Sequence, residues 1–478
     1  MSPGLIFGVL GSYFLLLYVI SYFTSQNSDS TTFFTGNRQS PWYLVAFGMI
    51  GASLSGVTFI SVPGEVGNSD FSYFQVVLGY LLGYLVIATV LMPFYYRLKL
   101  VSIYTYLEGR FGFWGYKSGA IFFLLSRIVG ASFRLFLVAG VLQLVFFDPL
   151  GIPFWVSVMV TISLIWFYTY KGGIKTVVWT DTLQTAFMLI AVVTSIYLIA
   201  GDLQLSVVEL TSVIGGSPFS NIFVWDWQPG TNFFKQFLSG AFIAIVMTGL
   251  DQDMMQKNLT CRTIGDAQKN MFWFCIILVF ANFLFLSLGA LLYHYADINT
   301  IALPERSDNL YPMLAVFHFN TLAGVTFLLG IVAAAYSSAD SALTALTTSF
   351  CVDILGLDKE TGDFSTSRRI KVHLAFSMLL FVVILVFNAI NDRSVITAVF
   401  IAAGYTYGPL LGLYSFGLLT KWKVIDEFVL PICILSPALS YLINVYSEQL
   451  LGGYRFGFEI LILNGLITFL GLLIIRKR

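Results

Sequence analysis

Four ionisable residues lie inside stretches that are otherwise apolar. Arg127 and Arg134 stand in LLSRIVGASFRLFL, Asp181 in KGGIKTVVWTDTLQT and Asp340 in AAAYSSADSALTALTTS. At the centre of a bilayer such a group costs at least ~2.5–3.5 kcal/mol. Each therefore needs a partner, whether an opposite charge, a bound ion or a charged solute. Around Asp340, the residues Ala334, Ser337, Ser338 and Ser341 fall at i, i+3, i+4 and i+7 and form one helical stripe. A hard cation such as sodium wants several oxygens, and a stripe of hydroxyls opposite free carbonyls would supply them. The bland alternative is small-residue packing, with each hydroxyl bonded back to a carbonyl one turn earlier. That accounts for the serines and leaves Asp340 unexplained.

Arg127 and Arg134 are seven residues apart and share a helix face. Counted from Lys117 at the ~1.5 Å rise of a helix, Arg127 lies about 15 Å deep, near the midplane. Its counter-charge would come from Asp181, from Asp340 or from an anionic solute. Arg134 lies further out, where it could snorkel or pair with an acid. Asp181 is two turns into its helix. Lys175, six residues earlier, is on the wrong face to pair with it, so a carboxylate facing a cavity is the functional reading. Asp251 and Asp253, in GLDQDMMQKNLTCRT, are expected at a membrane interface or in helix packing rather than in a site.

The elements that hold these residues are membrane spans. The 478 residues are 58% hydrophobic and 10% charged, where a soluble domain carries about 25% charge. Apolar runs of roughly 20 residues recur along the whole length, without the period-two alternation of barrel strands. Thirteen spans are expected. The first is near 3–25. Ten core helices follow near 42–65, 71–97, 118–146, 152–170, 177–200, 233–256, 268–295, 311–350, 370–390 and 394–419, and two trailing spans near 425–446 and 456–475. The chain then divides into a leading helix (1–30), a core (42–420) and a trailing pair (425–478), with long loops only near 201–232 and 296–310. The N-terminal run has no basic segment before it and no small-residue cleavage site after it, so it is expected to be retained.

Lysine and arginine in the connections set the orientation. With the N-terminus outside and the C-terminus inside, only Lys235, Arg306, Arg393 and Arg455 lie on the outer side. Arg127 and Arg134 lie within a span, and the other nineteen of the 25 basic residues, Lys257 among them, fall on the cytoplasmic side.

Two core helices carry breaking residues. Core helix 1 reads GMIGASLSGVTFISVPGEVG, with Gly48, Gly51, Gly56, Pro63, Gly64 and Gly67. Core helix 6 reads LSGAFIAIVMTGLDQD, with Gly240 and Gly249. Five spans apart, they enter the membrane from opposite sides. Interrupted helices at matching places in two inverted halves point to a transporter's binding site, although glycines also simply pack membrane helices closely.

Other functions fit less well. The net charge is zero, which gives nothing to attract nucleic acid. Cys261, Cys275, Cys351 and Cys433 are scattered without CxxC spacing. His294, His318 and His373 form no metal-binding cluster. An intramembrane enzyme would need a nucleophile with a base, and no His or Cys is placed to serve, so no enzyme activity is expected. A sensor or channel-like protein that keeps the fold without coupling is the remaining alternative.

Several stretches together resemble the sodium:solute symporter family: KGGIKTVVWTDTLQT in core helix 5, GLDQDMMQKNLTCRTIGDAQKN at the end of core helix 6, AAAYSSADSALTALTTSFCVDIL in core helix 8, and YTYLEGRFG after core helix 2. They occur in the family's order and span essentially the whole chain. The resemblance implies an all-α membrane fold like that of the leucine transporter, with two inverted five-helix repeats working by alternating access, in a plasma membrane. It implies a sodium site formed by carbonyls of Gly51, Leu54 and Ala334 and hydroxyls of Ser337 and Ser338. Members resembling sialic acid symporters have a second sodium site, whose matching residues are Asp181, Ser337, Asp340 and Ser341. The family position matching Asp340 is often a serine, so the sodium count is left open. Ser53, Ser55 and Thr58 match a carboxylate-binding run of the sialic acid type, with Gln75 and Arg127 as companions. The sugar branch carries Asn and Tyr where this chain has Ala244 and Met247, and the proline branch has an acid where this chain has Ser53. The resemblance thus implies a small organic anion as solute and sodium as the coupling ion, with a neutral solute as the alternative and no obligate protein partner.

Overall fold

The computed structural model describes residues 3–24, 39–98, 100, 102–169, 174–356, 366–390 and 394–477. Of the basic residues used for the orientation, Arg38, Lys99, Lys171, Lys359, Arg393 and Arg478 lie outside them. The described chain is all-helical, with two isolated β-bridges, Ser40–Cys261 and Val424–Arg476. Among the described residues, eight helices are long and apolar enough to cross a membrane, or ten if each of two bent pairs is one span.

Helix α1 (Pro3–Thr24) leads. Core helix 1 is two helices, α2 (Trp42–Ser53) and α3 (Gly56–Ser69), and α4 (Tyr73–Val86) runs on to Leu98. Then come α5 (Phe113–Leu142), α6 (Phe154–Thr169) and α7 (Ile174–Asp202). Core helix 6 is α8 (Phe233–Ala244), extended by a π turn to Gly249, and α9 (Gln252–Leu259). After α10 (Ile264–Ile298) and α11 (Thr321–Ser349) come α12 (Thr366–Ile390), α13 (Val395–Thr406), α14 (Gly408–Leu419), α15 (Val429–Val445) and α16 (Ile460–Ile474).

The site is framed by two tight packings. Helix α7 runs along both α2 and α11, and α4 runs along α8. Backbone proximity makes glycine necessary in the second pair. A Cβ on Gly79 would stand 2.0 Å from the Phe237 carbonyl oxygen, and one on Gly240 would stand 2.0 Å from that of Val76. Gly240 therefore serves packing and does not mark the break in core helix 6. That break follows Gly249, and the two segments meet at 65°. Asp251 starts the new helix, its Oδ1 accepting from the N–H groups of Asp253 (3.0 Å) and Met254 (3.4 Å).

Core helix 1 breaks at Leu54 (φ −79°, ψ 56°) and Ser55 (φ −61°, ψ 178°), not at Pro63–Gly64, since Pro63 is inside α3. The span expected over 311–350 is also interrupted. Forty residues of helix would be about 60 Å long, twice the ~30 Å hydrocarbon layer. Phe319 is extended, and the Asn320 side chain accepts from the Ala323 N–H to start α11 anew at Thr321. Core helix 10 bends by 47° between Thr406 and Gly408, next to Pro409. The expected loop at 201–232 contains a helix, Val207–Gly215, begun by a capping box of Ser206 and Glu209. All four cysteines are free and buried.

Candidate solute and sodium site

A cavity of about 80 Å³ opens where core helix 1 is broken. The break contributes Ser53, Leu54, Ser55 and Thr58. Helix α4 contributes Tyr73, Tyr80 and Tyr84, α5 contributes Arg127 and Arg134, and the α8 segment contributes Ala244, Met247 and Thr248. Asn282 of α10 and Phe400 of α13 complete the wall, and the Phe400 ring stacks on Tyr73 with centroids 6.2 Å apart. The expected solute residues Ser53, Ser55, Thr58 and Arg127 are thus brought together. Gln75 is not among the lining residues. It is fully buried, donating to the Thr231 carbonyl (2.9 Å) and accepting from the Val224 N–H (3.2 Å), so it ties α4 to the segment before α8.

The two arginines differ in what surrounds them. Arg127 ion-pairs with Asp253 through Nη2 and stands 3.6 Å from Asp251 through Nη1. Asp251 also accepts from Tyr407 Oη (2.8 Å). The counter-charges of Arg127 are therefore these two acids, and neither Asp181 nor Asp340. Asp251 and Asp253 are 0% and 2% exposed, which corrects the expectation of an interfacial place. The turn of the broken helix brings them inward, where the midplane arginine meets them. Arg134 has no ion pair among the described residues, and its Nε is buried without a hydrogen-bond partner. It faces the cavity instead of snorkelling outward.

Asp181 also has a partner that its own helix does not reveal. Lys257, on α9, is 1% exposed, and its Nζ lies 2.8 Å from Asp181 Oδ2 and 2.9 Å from Ser341 Oγ. It is 3.8 Å from Asp253 Oδ1, four residues earlier on the same helix. The other Asp181 oxygen accepts from Ser337 Oγ. Asp340 is buried, with Oδ1 accepting from the Ser341 N–H. Lys257 thus belongs to the buried network and not to a cytoplasmic loop. The i, i+4 spacing of Asp253 and Lys257 was the available sequence sign, and it was masked by the basic residues that follow.

The proposed ligands of the first sodium lie around the same helices. A Cβ on Gly51 would stand 2.1 Å from Thr185 Oγ1 and 3.2 Å from the Asp181 carbonyl oxygen, so glycine lets α2 press against α7. On the other side, Gly56 abuts Ile331 of α11, one turn before Ala334. The Ala334 carbonyl accepts from Ser338 Oγ (3.1 Å). Where a helix ends, its last carbonyls lose their helical partners. The two breaks deal with this differently. In core helix 6, Tyr95 donates to the Gly249 carbonyl and Tyr104 to the Leu250 carbonyl, both at 2.9 Å. In core helix 1, no hydrogen bond from the described residues reaches the carbonyls of Gly51, Ala52, Ser53 or Leu54. Such a row of unused oxygens suits a hard cation.

Comparison with known proteins places the chain among sodium-coupled transporters. The chain is 24% identical to the sodium/sialic acid symporter NanT of Aliivibrio fischeri over 434 residues, covering 87% of this chain and 82% of that protein. It is 24% identical to SiaT of Proteus mirabilis, covering 87% and 84%. It is 27% identical to a sodium-coupled monocarboxylate transporter of Bos taurus, covering 83% of this chain and 65% of the relative. A solved Na+-coupled sialic acid symporter in a substrate-bound outward-open state superposes with a TM-score of 0.82 at 20% identity, over 99% of this chain and 98% of the other. A nucleobase-cation-symport-1 transporter superposes at 0.57 and 13% identity, over 93% and 94%. Broken helices, a cavity between them and a row of unused carbonyls are the parts of a sodium-coupled carrier, and residues 33–436 match the family profile: the chain belongs to the sodium:solute symporter family.

Proposed function

We propose that this chain imports a small carboxylate-bearing solute, such as a sialic acid or another organic anion, together with sodium across a plasma membrane. The observation that carries the reading is Arg134, a guanidinium without an ion pair among the described residues, facing a cavity that also presents Ser53, Ser55 and Thr58. Arg134 is half-buried, a charge drawn out of water without a partner is costly, and a carboxylate would relieve it through paired N–H···O bonds. The relatives named for sialic acid, monocarboxylates and iodide are all consistent with an anionic solute.

In this reading the carbonyls of Gly51, Leu54 and Ala334 and the hydroxyls of Ser337 and Ser338 hold a sodium ion at the broken helix. Thirteen spans run from an outside N-terminus to an inside C-terminus. Residues 42–420 form two inverted five-helix repeats that expose the cavity to each side in turn, with 1–30 leading and 425–478 trailing. The ligands are neutral oxygens, so the ion is held loosely enough to be released, and each carrier works without an obligate protein partner.

The test is a thermal-shift screen of purified protein against sialic acid, short carboxylates and neutral sugars, each with and without sodium. A ligand that binds the folded state raises its stability by mass action, and coupling appears as a sodium-dependent shift. The expected result is a sodium-dependent shift with a carboxylate that Arg134→Ala reduces at least tenfold in affinity. A shift with neutral sugars alone would replace the anion with a neutral solute. Shifts that ignore sodium would remove the coupling.

A further inference from the structure

We propose that the Lys257 ammonium stands where a second coupling sodium would bind, so that this carrier takes up one sodium ion per transport cycle. The proposal rests on the sodium-symport reading above and concerns only how many ions that symport uses. Three of the four side chains that match a second sodium site, Asp181, Ser337 and Ser341, are joined around Lys257. Its Nζ is 2.8 Å from Asp181 Oδ2 and 2.9 Å from Ser341 Oγ, and Ser337 Oγ donates to the remaining Asp181 oxygen. An ammonium group and a sodium ion want the same surroundings, carboxylate and hydroxyl oxygens in a dry pocket. Both cannot occupy them, because two positive charges would then lie within one buried oxygen set, where their repulsion is weakly screened.

The neighbouring charges support a built-in cation. Asp181, Asp251 and Asp253 are three buried carboxylates, and Arg127 and Lys257 are the cations that pair with them. Arg127 is taken up by Asp251 and Asp253, so Lys257 is the cation left for Asp181. Asp340 lies next to Ser341 on the same turn, and its Oδ1 accepts from the Ser341 N–H. Lys257 is also fixed by its backbone. It lies on α9, whose eight residues are all buried, and the break after Gly249 aims that helix at α7 and α11.

The arrangement links Lys257 to the first site. Ser337 is a proposed ligand of the first sodium, and its hydroxyl proton is directed at Asp181. Its lone pairs are thereby left for the ion. Lys257 is a positioning residue in this respect: it holds Asp181 in place, and Asp181 orients Ser337.

The experiment is equilibrium binding of radioactive sodium to the purified full-length protein, counted per chain. One ion is expected for the wild type and for Lys257→Arg, and two for Lys257→Ala or Lys257→Gln, with Asp181 and Ser341 released to the second ion. Two ions on the wild type would overturn the proposal and leave sodium symport intact. One ion on a folded Lys257→Ala and a folded Lys257→Gln would overturn it as well. If neither variant folds, the wild-type count alone decides. No bound sodium on the wild type would instead remove the symport reading on which the proposal stands. A structural role for Lys257 would lower thermal stability without changing the ion count.

Discussion

Arg127 and Arg134 have the same side chain, share one face of α5 and line one cavity, yet their surroundings assign them different work. Removing Arg127 leaves Asp251 buried without its cation and Asp253 with only Lys257, 3.8 Å away. Breaking a buried pair in this way costs about 3–5 kcal/mol. Arg127→Ala is therefore expected to lower the unfolding temperature whether or not solute is present, as read by thermal unfolding in detergent. Arg134 has no partner to strand. Arg134→Ala is expected to leave the ligand-free protein at least as stable as the wild type and to abolish stabilisation by carboxylates. A solute effect confined to Arg127 would reverse the two assignments. Gln75 belongs with Arg127 in kind. Gln75→Ala is expected to weaken the tie between α4 and residues 222–232, costing about 1 kcal/mol or more per lost buried bond, with little change in solute selectivity.

The broken helices explain themselves one level up. An interruption in a membrane helix strands backbone carbonyls, and each stranded group must find a donor or an ion. At Gly249 and Leu250 the donors are Tyr95 and Tyr104, which makes that break structural. Tyr95→Phe and Tyr104→Phe are expected to destabilise the protein by roughly 1–3 kcal/mol each without altering sodium affinity. At Gly51–Leu54 no donor is supplied among the described residues, and the contact with α7 sets the position of the break. Gly51→Ala puts a methyl 2.1 Å from Thr185 Oγ1 and is expected to push α2 off α7, raising the sodium concentration needed for half-maximal stabilisation. Thr185→Ala in the same chain removes that oxygen and is expected to recover part of the loss. Failure of the double variant, with the protein still folded, would mean that Gly51 acts through some other contact.

At the scale of the whole molecule, the proposal of an outside N-terminus and an inside C-terminus makes opposite predictions for two loops. A single reporter cysteine at Arg306, in a background without the four native cysteines, is expected to react with a membrane-impermeant thiol reagent added to intact cells. One at Glu108 is expected to react only after the membrane is opened. Equal labelling at both positions would overturn the orientation. The native cysteines are all buried, so their removal is a matter of core packing and leaves the connections untouched.

The sequence by itself determined the all-helical membrane class, the family and the stretches that line the cavity. Those properties are written in local terms: apolar run length, helical periodicity, and short motifs whose residues are neighbours along the chain. Ser53, Ser55 and Thr58 could be placed because one broken helix carries all three. The positions of the breaks were less legible, since Pro63 and Gly240 look like breaking residues and are not. Whether a glycine opens a helix or lets another helix approach depends on what stands across from it, as Val76 stands across from Gly240. Only the tertiary structure decided the charge pairs. Lys257 meets Asp181 across 76 residues and Arg127 meets Asp253 across 126. Such pairs are set by how α5, α7, α9 and α11 converge after the 65° turn, and a buried charge is neutralised by whatever lies beside it in space. Lys257 looked like one more cytoplasmic lysine and became the buried partner of Asp181, because the turn of a broken helix carried it inward.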